Sequence, residues 1–431
     1  MDALGGANLL KGCAPGTFDE SAPYDPEGAP DVTYQYRAPS GSTSLLLFDT
    51  YLELRGHSGG MTPTSINVAI GRDAGTGGTF AWSTDTTSSD DGGTIIVPTP
   101  LRTGCWKRIF EGGLSVKWFG ALGNNVDDHD AVNAAVARAN SLNVPVLFPP
   151  GTYRVKYIGL YSHSTLIGAG REQTIIHQAS GSTAALVGRE TTIKGLLQYC
   201  SIRDLKLLGN DGAGGLGLHL DAFVHGLFES LAILSFRKPT EPRGIGLKLT
   251  NSACGGTHSN NFVDIIIGDC GTGLLMDSTC GGLGACGYNR FFGLKIFQEV
   301  DCILLKNTFT NGSIYNMFSG VLLQGTAAGG KGVYCEGHSN TFVNFVVDGV
   351  PGNHIELTAA ATGNVFLSPS VTPSKVFNSN TIAEHHLWCR RGLGRTGATV
   401  RSIGRAKGPN DTFLGSLWPR ERPRDPLGDR L

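Results

Sequence analysis

From about residue 160 onward the chain sustains no helical stripe. Short apolar runs rich in Val, Ile and Leu alternate with Gly, Asn, Asp and Ser, which predicts brief strands joined by tight turns. One motif sets the phase. Asn-x-Phe occurs at Asn260/Phe262, Asn289/Phe291, Asn316/Phe318, Asn340/Phe342 and Asn364/Phe366. With the aromatic as position zero, Phe228 and Ile202 are degenerate earlier copies, and successive copies lie 24 to 34 residues apart. Position +3 holds Leu205, Leu231, Ile265, Leu294, Val321 and Phe345, and Pro369 breaks the rule. Position +5 holds Leu207, Ile233, Ile267, Ile296, Leu323, Val347 and Val371. Apolar residues at zero, +3 and +5 are not simple alternation. They predict a strand, a one-residue corner at +2, and a second strand.

A second register follows about a dozen residues later: LGLHLD, IGLKLT, TGLLMD, DCILLK, KGVYCE and NHIELT. A unit this small cannot bury its own inner face, so it must stack on its neighbours. Stacking in parallel, with rungs about 4.8 Å apart and the usual hand of parallel crossovers, predicts an all-β fold. The expected architecture is a right-handed parallel β-helix of about eight to ten coils. Within a coil the corner residues Asp204, Ser230, Asp264, Gly293, Gly320, Asn344 and Ser368 are types that tolerate left-handed backbone. The asparagines predict an internal amide ladder at another corner.

Earlier segments read differently. Residues 128–141 predict one helix that caps the solenoid, with Asp127 or Asp128 as its cap and Val132, Ala135, Val136 and Ala139 as its apolar stripe. VPVLFPPGTYRV reads as strand, turn and strand. SLLLFDTYLELRG (44–56) alternates and predicts a strand pair. The expected organisation is an N-terminal attachment or irregular region at 1–77, a linker at 78–125, the β-helix at 126–390, and a basic Pro/Gly-rich cap or strap at 391–431.

Composition narrows the function. A net charge of −1 over 431 residues gives no field for nucleic acid or anionic membrane. No apolar run is long enough to span a membrane. The N-terminus shows no basic segment leading into an apolar one, so no secretory signal is expected. The ten cysteines show no metal spacing and read as buried thiols. No cofactor and no metal are expected.

Two stretches carry a resemblance. VKWFGALGNNVDDHDAVNAAVARA and VLFPPGTYRV are similar to the opening of the pectate-lyase-like β-helix superfamily as found in bacteriophage tailspikes and tail fibres. The matching residues are Phe119, Gly120, Ala121, Gly123, Asp127, Asp128, Ala131, Ala134, Val136, Pro149, Gly151, Thr152 and Tyr153. Upstream, Asp91, Gly92, Gly93, Thr94, Trp106 and Arg108 resemble the segment that precedes such β-helices. Asn124 and Asn125 depart from the usual Gly-Asp-Gly. The resemblance implies a homotrimer on a virion tail, joined to tail or baseplate proteins through its N-terminal region. It would be made in the host cytoplasm, released by lysis, and bind a bacterial surface polysaccharide. It also implies depolymerase activity, as glycoside hydrolase or polysaccharide lyase. A non-catalytic adhesin of the same fold and a free bacterial polysaccharide enzyme are the alternatives.

The outward columns of the second register hold the candidate chemistry. One reads His219, Lys248, Leu275, Leu304, Tyr334, Glu356; the next reads Asp221, Thr250, Asp277, Lys306, Glu336, Thr358. Asp277 and Glu336, two rungs apart, suit an acid and a base acting through water. Lys306 between them, or Tyr334 beside Glu336, suits proton abstraction. The same Asp-Lys-Glu order also fits a charge ladder on a solvated face. Asp269, Glu299, Asp301 and Asp348 are candidate glycan-binding acids along one turn edge.

Overall fold

The computed structural model describes residues 44–57, 67–71, 75–99, 103–182, 184–210, 215–237, 244–251, 255–278, 284–297, 300–308, 312–325, 330–379 and 386–388. The chain divides into two compact units, 1–111 with 118–120, and 112–117 with 121–431.

The first unit is a five-stranded sheet in the order Ser44–Phe48, Asn67–Gly71, Gly78–Ser83, Cys105–Ile109, Ile95–Ile96. The expected strand pair at 44–56 is instead one strand followed by the helix Tyr51–Gly56. Thr50 caps that helix by accepting from the Glu53 amide, and Leu54 turns into a core of Phe48, Ala69, Phe80, Ile96 and Trp106. The resemblance residues here are scaffold. Asp91 Oδ1 accepts from the amides of Gly93, Thr94 and Ile95. The buried Arg108 binds the carbonyls of Gly93, Gly77 and Thr76 and lies 4.4 Å over both Phe80 and Trp118.

The second unit is the expected right-handed β-solenoid. The helix His129–Leu142 buries Val132, Ala135, Val136 and Ala139. Of the two expected caps, Asp127 is the one whose side chain serves. Asp127 accepts from the His129 amide, while the buried Asp128 carboxylate accepts from the amides of Leu122 and Gly123 and so clamps the preceding loop. Strand, turn and strand follow at Val146–Phe148 and Gly151–Val155. Gly151 has φ +156, and a Cβ there would stand 2.6 Å from the Gly123 carbonyl, so the turn requires glycine.

The rungs stack in register. Ile202, Phe228, Phe262, Phe291, Phe318, Phe342 and Phe366 pair in sequence across a seventeen-stranded sheet. From Phe262 to Phe366 the inward rings stack 4.5–4.7 Å apart and within 6° of parallel. The five asparagines form the internal ladder: each side-chain amide from Asn260 to Asn340 donates to the next Oδ1 at 3.0–3.1 Å. The corner residues Asp204, Ser230, Asp264, Gly293, Gly320, Asn344 and Ser368 all have φ between +50° and +69°. This left-handed position turns the chain without interrupting the ladder. Asp264 meets Arg171 and, at 3.5 Å, Lys295, so it is a corner residue tied into ion pairs. The described cysteines are buried thiols outside any disulfide.

Candidate functional site

A nine-stranded sheet forms the face that carries the second register, from Ile158–Leu160 to Val376–Asn378. Its strands alternate inward apolar residues with outward, mostly polar ones, so equivalent outward positions fall into columns. His219, Lys248, Leu275, Leu304, Tyr334 and Glu356 pair one after another. Beside them run Asp221, Thr250, Asp277 and Lys306. The amide of Glu336 donates to the Leu305 carbonyl at 2.8 Å, which puts Glu336 on the rung after Lys306.

Asp277 and Glu336 therefore stand two rungs apart, about 10 Å by strand spacing. Both are half-buried. Glu336 is held at both oxygens: Tyr334 donates to Oε1 at 2.7 Å and the Asn307 amide to Oε2 at 3.0 Å. Asp277 Oδ1 accepts from Thr308 at 2.7 Å. Lys306 lies between the two acids and pairs with neither among the described residues. Burial, then the hydrogen bond to Glu336, push the Tyr334 phenol up to about 12, so it keeps its proton at neutral pH. Above the column Lys331 sits 4.1 Å over the Tyr334 ring and 3.2 Å from Glu356, whose other oxygen accepts from Asn353 at 2.9 Å. Below it, Thr250 donates to Asp221 at 2.9 Å and contacts His219 Nε2 at 2.8 Å. Burial, helped by Lys248, lowers His219 to about 4.

The turn-edge acids do not form one column. Asp269 follows Gly268 at a left-handed corner and lies 3.7 Å from Arg237. Asp348 belongs one position earlier, in line with Gly268, Phe297 and Gln324. Asp301 pairs with Thr272 on the next face and accepts from the Lys331 amide. Glu299 lies outside the described residues. No group of His, Cys, Asp and Glu among the described residues is arranged to hold a metal ion.

The sequence reading missed a second column, on the corner before each Asn-x-Phe. It runs His163, Tyr199, His225, Ser259, Tyr288, Tyr315, Ser339, Gly363, every residue at φ between +52° and +67°. Its aromatic members are exposed, and neighbouring rings stack 5.1–5.4 Å apart. These positions lie three residues before the repeated aromatic position, but what unites them is left-handed backbone, which their residue types alone do not reveal.

Residues 48–111 match a family described as the phage tail protein small four-stranded beta-sheet domain. Residues 113–201 match one described as rhamnogalacturonase A/epimerase, pectate lyase-like. Among solved structures, the tailspike of Acinetobacter phage vB_ApiP_P1 is similar over 89% of this chain and 76% of its own, with 15% identity and a TM-score of 0.51. The enzymatically active domain of bacteriophage CBA120 tailspike protein 2 matches over 74% of this chain, with 18% identity and a TM-score of 0.49. This chain spans about half, 51%, of that domain's length. The tailspike of Acinetobacter baumannii bacteriophage Fri1, a capsular polysaccharide depolymerase, matches over 80% of this chain and 71% of its own, with 13% identity and a TM-score of 0.42.

Proposed function

From a chain that joins a phage-tail β-sheet domain to a pectate-lyase-like right-handed β-helix, the build of a phage tailspike, we propose a role in host adsorption: binding a bacterial surface polysaccharide, capsule or lipopolysaccharide. That junction of the two modules within one chain is the observation that carries the reading. The first module would join the tail and the solenoid would meet the glycan, as a homotrimer.

We further propose that the Asp277–Glu336 column cleaves the bound glycan by hydrolysis. Strands two rungs apart, about 10 Å, put the acids near the upper end of the roughly 6.5–9.5 Å that inverting glycosidases use to hold a water molecule, and well beyond the roughly 5–5.5 Å of direct carboxylate attack. Glu336, oriented by Tyr334 and Asn307, takes a proton from water. The water oxygen bonds to the anomeric carbon as the glycosidic C–O bond breaks, and Asp277 gives its proton to the departing oxygen. Lys306 between them would hold the glycan or balance charge. Elimination with Tyr334 as base is less favoured, because its phenol holds its proton at neutral pH.

The test is adsorption. Purified protein should bind host cells bearing their surface polysaccharide and release from cells stripped of it. Equal binding to stripped cells would remove the glycan reading.

A further inference from the structure

The corner column contains a gap. His163, Tyr199 and His225 stack below, and Tyr288 and Tyr315 stack above, but the rung between His225 and Tyr288 holds Ser259. The backbone confirms the alignment: the His225 amide donates to the His258 carbonyl, and the Ser259 amide to Gly287. His258 packs edge-on against His225 at 6.0 Å and its Nδ1 lies 3.1 Å from Ser259 Oγ, while Tyr288 stacks on Tyr315. The result is a cavity of about 440 Å³ lined by His225, Ser259, Asn261, Tyr288 and Arg290, within the size range of small-molecule sites, roughly 300–1,000 Å³. Ser339 repeats the missing ring, but Gly363 follows it, so only the gap at Ser259 is closed by rings on both sides among the described residues.

Three features point to one ligand class. The upper wall is the Tyr288 ring, stacked on Tyr315, and the lower is His225 with His258 packed edge-on beside it, so a sugar ring entering the gap would lie against Tyr288. The floor supplies Ser259 and Asn261, hydrogen-bonding groups for hydroxyls. The rim supplies Arg290, an exposed guanidinium with no ion-pair partner among the described residues, suited to a planar carboxylate.

We propose that this gap binds a carboxylated sugar ring of the polysaccharide, stacked on Tyr288 with its carboxylate on Arg290; this rests on the polysaccharide-binding reading above. The site lies on a corner of the solenoid, distinct from the Asp277–Glu336 column, and would act as a grip on the chain.

An array of purified bacterial capsular polysaccharides, with and without uronic acids, tests it using the full chain. The protein is expected to bind one or more acidic members. Chemical reduction of the carboxyl groups should weaken that binding at least tenfold in wild type and little in Arg290→Gln. Tyr288→Gly, which keeps the left-handed backbone that Gly363 shows in the same column, and Ser259→Tyr, which fills the gap, should each weaken it at least tenfold. A thermal melt like that of wild type confirms that both fold. Binding confined to neutral glycans, or unchanged in Tyr288→Gly and Ser259→Tyr, would overturn the proposal while leaving the glycan-binding reading intact. Binding to no polysaccharide at all would overturn that reading and the proposal with it.

Discussion

The Tyr334 hydroxyl donates to Glu336 Oε1 at 2.7 Å, from two residues earlier in the chain and on the same outward face. The bond fixes one carboxylate oxygen and leaves the other to the Asn307 amide. If Glu336 is the base that activates water, Tyr334 positions it without touching substrate protons. Tyr334→Phe should then cost about 1 kcal/mol of stability or less and lower kcat about tenfold or more with KM little changed. Steady-state kinetics on a cleaved glycan checks the split; a change confined to KM would assign Tyr334 to binding instead.

The amide ladder is predicted to carry stability out of proportion to its size. Asn316→Ala removes the acceptor for the Asn289 amide and side chain and the donor to Cys286 and Asn340, all buried. Orphaned buried groups cost about 1–3 kcal/mol each, so a loss of about 3 kcal/mol or more is expected in urea unfolding. A loss below about 1 kcal/mol would mean that water replaces the ladder.

The +2 corner separates conformational cost from packing. A Cβ at Gly320 would meet nothing nearer than the Gly293 nitrogen at 4.0 Å, so there is space for a side chain. Its φ of +64° remains costly for a β-branched residue. Gly320→Val should therefore destabilise by about 1–2 kcal/mol, while Gly320→Asn, the type already present at Asn344, should be close to neutral. Thermal melts of the two variants decide it.

His219 gives the pH dependence a direction. Its folded value of about 4 lies below its ordinary 6.5, because burial, with Lys248 and Arg189 nearby, disfavours the charged ring despite Asp221. The neutral form is the one the fold prefers, so its contribution is complete above pH 6.5 and is lost as pH falls toward 4. His219→Gln, which cannot take up a proton, should flatten that part of a stability-against-pH curve. His177, His258, His338 and His354 are lowered by burial too and should leave a smaller residual slope.

The solenoid was legible because parallel stacking converts sequence period into lateral neighbourhood. Once Asn and Phe anchor the alignment, Asp277, Lys306 and Glu336 fall on successive rungs whatever the loops between them do. The corner column was not legible, since its positions hold His, Tyr, Ser and Gly, which share no hydropathy and are united only by left-handed backbone. Tyr51–Gly56 is too short for helical periodicity to outweigh alternation. Asp128 looks like a helix cap in sequence, because a capping aspartate and one that clamps loop amides have the same neighbours until the loop at Leu122 and Gly123 closes over it.

The measurement that bears most directly on the proposed function is release of new reducing ends from purified host capsule or lipopolysaccharide. Wild type should release them, and Asp277→Asn and Glu336→Gln should each abolish release while keeping binding and the wild-type melt. Binding without any released ends in wild type would leave an adhesin and contradict hydrolysis; full release by both variants would remove the Asp277–Glu336 column as its seat.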